Sequence, residues 1–195
     1  MHLLLAVAAV ALSYLLGSVP TGLWLGLRLR GIDIREHGSK NIGATNTLRV
    51  LGKKLGALAL AGDVLKGLVP VLLFGRMAAW EHLPLACGLA AILGHTFSVF
   101  LGFKGGKGVA TSTGAFLGLA PIPLLIGAAA FAAIVGATRM VSAGSITAAV
   151  VVCVAALLTP LSLPVRVVAV VVAVLVVLKH RSNIRRILKG EESRI

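Results

Sequence analysis

The amino-acid sequence predicts an all-α integral membrane protein with about seven transmembrane helices, because the chain is short, apolar and poor in charge. Hydrophobic residues make up 58% of its 195 residues and charged residues 13%, whereas a soluble domain carries roughly 25% charged residues. The mean hydropathy is +1.01. A helix needs roughly 20 apolar residues to cross ~30 Å of hydrocarbon, so the chain holds at most about seven spans. We therefore expect a single transmembrane domain over residues 1–195.

Seven apolar runs support this number of spans. They cover residues 3–29, 55–75, 83–103, 109–119, 122–137, 143–158 and 163–178. The first run has no basic segment before it and exceeds the length of a signal-peptide core, so we expect a retained span. Small residues and a proline at residues 17–22 favour a kink or close helix packing there over catalysis. Because several later runs are short, roughly five or six spans are the alternative.

The basic residues predict the orientation of these spans. The chain has 19 Lys and Arg against 6 Asp and Glu, which gives a net charge of +13. With seven spans, all of these cations fall on one side except Arg76 and Arg166 on the other side and Lys66 inside a span. The positive-inside rule then places the C-terminus in the cytoplasm and the N-terminus outside. Since the cations lie between apolar runs, we expect them to report orientation or bind phosphate, and we expect no nucleic-acid partner.

The first cytoplasmic segment, residues 38–49, is rich in Gly, Ser, Asn and Thr. Closely spaced backbone N–H groups and short polar side chains can converge on an oxyanion, and Arg49 could add a bidentate contact. The segment therefore fits a phosphate cradle. An ordinary polar loop has the same composition, and both interpretations stay open at this point.

The second cytoplasmic turn, residues 102–112, gives a stronger signal. Its glycines precede an apolar helix, where unpaired N–H groups and the positive end of the helix dipole favour an anion, and Lys104 and Lys107 add charge. The spacing does not match Gly-x4-Gly-Lys-Ser/Thr, so a nucleotide-binding P-loop is not indicated. The alternative is that the two lysines only fix the topology.

A third cytoplasmic turn covers residues 139–145, and the tail begins with His180. If the tail continues the last helix, His180 and Asn183 lie on one face and could hydrogen-bond a polar ligand together. For the arginines of this tail, the alternative is a basic cluster at the lipid headgroups.

Three ionisable residues fall inside apolar runs. Asp63 and Lys66 are three residues apart in the second run, and His95 lies in the third. Such groups are costly at membrane depth and are functional candidates by default. A mutually neutralising Asp63–Lys66 pair that locks helices is the interpretation that we favour for those two residues, while His95 stays open.

Two motifs that are missing from the sequence limit the reactions that the protein could catalyse. No paired-carboxylate motif that could hold Mg²⁺ beside a phosphate occurs in the cytoplasmic segments, so we expect neither a metal nor a cofactor. No His-x4-Asp sequence occurs either, so the usual dyad for activating a hydroxyl in acyl transfer is missing. Any hydroxyl chemistry would have to proceed without a conventional protein base.

Three separated motifs, in order, resemble the bacterial PlsY family of glycerol-3-phosphate acyltransferases. They are residues 38–46, residues 94–111 and residues 180–184, and the likeness extends from Gly17 to Lys189. Lys40 and Ile42 depart from this pattern, because small or proline-like residues are expected on either side of Asn41.

The resemblance implies a seven-helix enzyme of the bacterial inner membrane, with an active site on the cytoplasmic face. It would transfer an acyl group from an acyl-phosphate to the sn-1 hydroxyl of glycerol 3-phosphate, which gives lysophosphatidic acid and phosphate as the first acylation of phospholipid synthesis. The implied partners are these substrates, membrane lipids and a transient contact with the enzyme that produces the acyl-phosphate.

The resemblance also implies roles for particular residues. By position, the phosphate ligands would be Ser39, Arg49, Lys104 and Ser142, with the backbone of Gly105 and Gly106 beside them. His180 and Asn183 would hold glycerol 3-phosphate or orient its hydroxyl. The residues that shape the pocket would be Asn41, Thr45, Asn46 and Lys107.

Two functions of other classes remain as alternatives. The first is a transporter or channel for a phosphate-containing anion, which should show two inverted halves with broken helices; no such internal correspondence is visible. The second is an intramembrane serine protease that pairs Ser18 or Ser142 with His95 or His180. Such a protease would respond to serine-directed inhibitors and would need no phosphate.

Overall fold

A computed structural model gives the structure of residues 2–195. Within that range the chain forms helices and no β-strand, which confirms the all-α prediction. The helices are α1 (His2–Ser18), α2 (Thr21–Arg30), α3 (Ala44–Leu51), α4 (Lys53–Leu72), α5 (Leu83–Thr96), α6 (Val109–Leu119), α7 (Pro121–Thr138), α8 (Val141–Leu158), α9 (Leu163–Lys179) and α10 (Arg181–Leu188). Helices α1–α6 belong to one compact unit, and α7–α10 belong to a second unit that begins at Ala120.

Several of these helices are long and apolar enough to cross a membrane. Helices α7 and α8 pass this test by themselves, and α4 and α5 pass it together with the short 3-10 turns that extend them to Arg76 and Leu101. The bent pairs α1–α2 and α9–α10 pass it as pairs, which gives four to six candidate spans in the described range. Helix α6 is apolar but has only 11 residues, fewer than the roughly 20 that span a bilayer alone. The count of seven spans and the orientation of the termini stay predictions.

The first apolar run is bent rather than straight. Helix α1 ends at Ser18, α2 begins at Thr21, and their axes differ by 47°. Pro20 causes the break, because proline lacks an N–H group and sterically pushes the preceding residue out of the helical conformation. The predicted kink in residues 17–22 is therefore confirmed.

Small residues let the helices of the first unit pack closely. A Cβ atom on Gly17 would collide with the backbone of Ala91 in α5, and one on Gly114 would collide with the backbone of Val64 in α4. Membrane helices use such positions because van der Waals contact, rather than water exclusion, drives their association. The packing interpretation of the small residues in the first run is confirmed.

Two parts of the chain differ from the simplest interpretation of the sequence. Residues 38–49 do not form a loop throughout, because Ala44–Leu51 forms helix α3; Gly43, the residue before it, is extended. Helix α3 is strongly amphipathic, a pattern that eight residues within a polar segment do not reveal by composition. The tail also does not continue the last helix: α9 ends at Lys179, and α10 leaves it at an angle of 57°.

In the second unit, α7 and α8 form a tight antiparallel hairpin. Arg139 sits in the left-handed region with a φ of 62°, which turns the chain between the two helices. Gly127 and Gly144 allow the close approach, since a Cβ atom on either would collide with a side chain of the opposite helix. The hairpin carries Ser142 in the first turn of α8.

Candidate functional site

The segment before α3 is a sharply folded loop. Gly38 and Lys40 both adopt the left-handed conformation, with φ values of 59° and 57°. This region favours glycine, which explains why a small residue suits position 40. Ile42 is buried with Leu23 and Ile34 in an apolar cluster under the loop. Both departures from the expected pattern therefore have structural explanations: Lys40 is exposed in a turn, and Ile42 anchors the loop in the apolar cluster.

Asn46 holds this loop together from inside. Its side-chain Nδ2 donates to the carbonyl oxygens of Ile34 at 2.8 Å and His37 at 3.2 Å, and its Oδ1 accepts the backbone N–H of Ser39 at 2.8 Å. The side chain is buried. Asn46 thus fixes the path of the chain at Ser39, and these contacts favour a positioning role.

The other predicted residues of this segment lie at or near its surface. Asn41 accepts the backbone N–H of Gly43 through Oδ1 at 2.9 Å, which shapes the turn that leads into α3. Thr45 and Arg49 are four residues apart in α3 and therefore share one face of it. Ser39 is exposed at the loop surface. The structure brings these residues onto one loop and the short helix that follows it.

Residues 102–108, which we call the glycine turn, begin with two consecutive left-handed residues. Gly102 and Phe103 have φ values of 56° and 63°, and Gly108 has a φ of 79°. The N–H of Gly106 donates to the carbonyl oxygen of His95 at 3.0 Å, which ties the turn to the end of α5. Lys104 is exposed on this turn.

Helix α6 starts directly after the turn and contributes polar groups. The first four N–H groups of a helix have no partner within it. Among residues 2–195, the hydroxyls of Thr111 and Ser112 are buried and make no hydrogen bond. Hydroxyls, glycine N–H groups and the Lys104 ammonium are donors of the kind that bind an oxyanion.

A buried ionic group lies in the same unit, at the break between α1 and α2. Lys66 Nζ lies 2.8 Å from Asp63 Oδ1 and donates to the carbonyl oxygen of Val19 at 2.7 Å. The predicted Asp63–Lys66 pair is therefore formed, and it stabilises the break between α1 and α2 by binding the carbonyl that the break releases. His95 Nδ1 lies 3.9 Å from the same carboxylate oxygen.

In the second unit, a carboxylate binds two of the predicted ligands. Glu192 Oε1 accepts the Ser142 hydroxyl at 2.7 Å and Asn183 Nδ2 at 2.6 Å. Its other oxygen, Oε2, accepts Arg186 Nε at 2.6 Å. Sequence reasoning missed Glu192, and the only signal was an acidic pair within a basic tail. The structure brings Ser142 and Asn183 together around this side chain.

His180 lies at the bend between α9 and α10 and is buried. Its ring Nδ1 is 2.8 Å from the carbonyl oxygen of Val176, one turn back in α9. His180 and Asn183 therefore occupy the start and the first turn of α10, rather than one face of a continuous helix. Their spacing of three residues still places both at the same end of α10.

The contacts of Glu192 set its charge state. Burial alone would raise the pKa of Glu192, but the hydrogen bonds from Ser142, Asn183 and Arg186 outweigh this effect and hold the pKa below its ordinary value. Glu192 is therefore ionised at neutral pH. An anion is already bound by Ser142 and Asn183 in this conformation.

The fold and these turns define a class of protein: an all-helical membrane protein whose polar turns carry groups suited to phosphate. Residues 7–190 match the family described as glycerol-3-phosphate acyltransferase. The chain is 51% identical to the glycerol-3-phosphate acyltransferase of Trichlorobacter lovleyi over 185 residues, covering 95% of both chains. It is 48% identical to that of Geobacter sulfurreducens over 195 residues, covering 94% of both.

Solved structures agree with this relationship. The chain is similar to the crystal structure of PlsY, an integral membrane glycerol 3-phosphate acyltransferase, in its glycerol 3-phosphate form, with a TM-score of 0.91 and 39% identity over 97% of this chain and 95% of that one. The lysophosphatidic acid form gives a TM-score of 0.88 and 38% identity over the same shares. The chain belongs to the PlsY family of glycerol-3-phosphate acyltransferases, and its activity is the acylation of glycerol 3-phosphate in a membrane.

Proposed function

We propose that the acyl donor is an acyl-phosphate and that the products are lysophosphatidic acid and inorganic phosphate. The observation that carries this proposal is the glycine turn, which joins an exposed Lys104 to glycine backbone and to the start of α6. Such a turn suits a compact phosphate group that an acyl-phosphate carries at its reacting end. A related protein solved in glycerol 3-phosphate and lysophosphatidic acid forms supports the acceptor and the product.

The reaction needs the acceptor hydroxyl to attack the acyl carbon. A new C–O ester bond forms, the bond between the acyl carbon and the phosphate oxygen breaks, and the phosphate leaves with the bonding electrons. The hydroxyl proton passes to a phosphate oxygen of a bound substrate, because the sequence has no His-x4-Asp dyad. Cationic side chains lower the barrier by stabilising the negative charge on the leaving phosphate.

In the first unit, we assign phosphate binding to Ser39, Arg49 and Lys104, with the backbone of Gly105 and Gly106. Left-handed residues flank Ser39 and precede Lys104, and Arg49 extends from helix α3. Donors held in place by such backbone structure stabilise developing charge best. Asn41, Thr45, Asn46 and Lys107 shape this region, Asn46 by holding the loop at Ser39.

In the second unit, we assign acceptor binding to His180 and Asn183 and phosphate binding to Ser142. Their support is that Ser142 and Asn183 already bind the carboxylate of Glu192, so both donate to an anion in this conformation. The His180 ring is held by Val176 at the bend. A phosphate group of the substrate offers the same kind of acceptor oxygen as the carboxylate.

We also propose that the chain forms one seven-span domain in the bacterial inner membrane, with the N-terminus outside and with the C-terminus and active site on the cytoplasmic side. The distribution of Lys and Arg supports this orientation. Single cysteines introduced at Lys54 and at Ser162, in a background with Cys87 and Cys153 replaced by alanine, test it. Only the cysteine at position 54 should resist a membrane-impermeant thiol reagent in intact cells.

The test of the site uses purified protein with palmitoyl-phosphate and glycerol 3-phosphate. Lys104→Ala and Arg49→Ala should each abolish transfer, with losses of at least about 10²-fold. His180→Ala should mainly weaken use of the acceptor. Lys53→Ala is the matched control, because Lys53 is exposed at the start of α4, and it should keep full activity. Full transfer by both Lys104→Ala and Arg49→Ala proteins would contradict the scheme.

A further inference from the structure

The first unit contains a buried polar chain that starts at the break between α1 and α2. Lys66 binds the carbonyl oxygen of Val19 and the carboxylate of Asp63, and these side chains are only 4% and 2% exposed. Asp63 Oδ1 also faces His95 Nδ1 at 3.9 Å. Ionisable groups inside membrane helices are costly to bury and are functional candidates, even where they also stabilise the packing.

His95 links these buried polar side chains to the glycine turn through its backbone and through its ring. Its carbonyl oxygen accepts the N–H of Gly106 at 3.0 Å. Its ring edge carrying Nε2 packs against Gly106 so closely that a Cβ atom there would collide with Nε2. A Cβ atom on Gly105 would collide with the carbonyl oxygen of His95. Gly105 and Gly106 therefore both pack directly against His95.

The two ring nitrogens of His95 face different partners. Nδ1 faces the carboxylate of Asp63, and Nε2 faces the backbone of the turn. A carboxylate favours the proton on the nearer nitrogen, so Asp63 biases the ring toward the form that carries its proton on Nδ1. At 3.9 Å this influence is electrostatic rather than a direct hydrogen bond.

We propose that His95, oriented by Asp63, is a positioning residue that sets the conformation of the glycine turn and thereby the placement of Lys104. This inference rests on the assignment of the turn to phosphate binding. His95 acts through the turn and does not touch the reacting atoms. Displacement of a substrate-binding group by about 1 Å can cost about 10²-fold in rate, so loss of the ring contact should be visible in kinetics.

Two conservative substitutions of His95 distinguish the contribution of its Nδ1 edge from that of its Nε2 edge. Glutamine reaches the Nε2 position and keeps a polar group against the turn, whereas asparagine reaches only the Nδ1 position. His95→Asn should lower kcat/KM about 10²-fold, mainly through KM for the phosphate substrates, and His95→Gln should lose about tenfold or less. His82→Asn is the matched control, since His82 precedes the opposite end of α5, and it should leave kinetics unchanged.

A second readout does not depend on activity. Hydrogen–deuterium exchange of peptides covering residues 102–109 should be at least about tenfold faster in His95→Asn than in wild type and close to wild type in His95→Gln, while peptides of α4 stay protected. If wild-type protein shows no acyl transfer, the proposed function fails and this readout still decides the positioning role.

Asp63 is tested together with Lys66, because Asp63→Asn alone would leave a buried lysine charge uncompensated. The double variant Asp63→Asn, Lys66→Met removes both charges. In the wild-type background it should lower kcat/KM about tenfold. In the His95→Gln background it should lower kcat/KM by a smaller factor, because the effects of coupled residues are not additive. Wild-type kinetics and exchange for folded His95→Asn protein, equal losses for His95→Asn and His95→Gln, or additive effects of the double variant would each overturn the proposal.

Discussion

Removal of the Glu192 carboxylate tests how the tail holds the predicted ligands in the second unit. Glu192 is 7% exposed and accepts hydrogen bonds from Ser142, Asn183 and Arg186. Glu192→Ala leaves the Ser142 hydroxyl and the Asn183 amide buried without this acceptor, at about 1–3 kcal/mol each. Arg186 adds little, because its side chain is 38% exposed and a solvent-screened pair contributes at most about 1 kcal/mol.

These three contributions sum to a loss of about 2–7 kcal/mol in the free energy of unfolding for Glu192→Ala. Since about 1 kcal/mol shifts Tm by about 2–4 °C for a chain of this size, Tm should fall by at least about 4 °C. Glu192→Gln keeps one oxygen for Ser142 and Asn183 and turns its amide toward Arg186, so its loss should be about 1 kcal/mol. Glu191→Gln is the matched control, because Glu191 is exposed, and it should melt like wild type.

The pH dependence of this effect has a definite sign. The pKa of Glu192 is held below its ordinary value of 4.5 in the folded protein, so its stabilisation is fully present above that pH. It is lost as the pH falls through the lowered folded-state pKa. The Tm difference between wild type and Glu192→Gln should therefore be constant from neutral pH down to 4.5 and should shrink below it. Thermal unfolding in detergent measures Tm, and kinetics on the same preparations give KM for glycerol 3-phosphate. If Glu192→Ala has the Tm and KM of wild type, Glu192 does not hold Ser142 and Asn183 in place.

Three further predictions concern the first unit. Gly106→Ala should lower kcat/KM about 10²-fold, because the added Cβ displaces the glycine turn. Gly136→Ala is the control and should keep full activity, since a Cβ atom there meets open space. Equal kcat/KM values for the two variants would contradict this prediction. Asn46→Ala should lower the free energy of unfolding by about 1–3 kcal/mol, because it removes the hydrogen bonds that hold the loop at Ser39. An unchanged Tm would contradict this role of Asn46. Lys40→Gly should raise stability by up to about 1 kcal/mol because it relieves a left-handed lysine, and a lower Tm would argue otherwise.

The apolar runs made the all-helical membrane fold predictable, because a bilayer leaves few alternatives to helices of sufficient length. Pro20 also made the kink in the first run predictable. The eight-residue helix α3 was not predictable in the same way, since short helices depend on tertiary packing rather than on propensity. The bend at His180 is likewise set by the contacts of the tail, which composition does not report.

The candidate site was likewise predictable only where its residues are consecutive in the sequence. The glycine turn could be recognised locally, because its residues are consecutive and lead straight into a helix. The contacts of Ser142 with Glu192 and of His95 with Asp63 join residues 50 and 32 positions apart in sequence, and no local pattern encodes such pairings. The roles of the individual site residues in catalysis stay predictions until variants are measured.

The identity of the acyl donor is tested by comparing three donors with radiolabelled glycerol 3-phosphate as the acceptor. Purified protein in detergent is supplied with palmitoyl-phosphate, palmitoyl-CoA or palmitoyl-acyl carrier protein, and labelled lipid and free phosphate are both quantified. Labelled lysophosphatidic acid should form only with palmitoyl-phosphate, with one phosphate released per lipid formed and none released without glycerol 3-phosphate. Labelled product from palmitoyl-CoA or the carrier protein, with none from palmitoyl-phosphate, would contradict it.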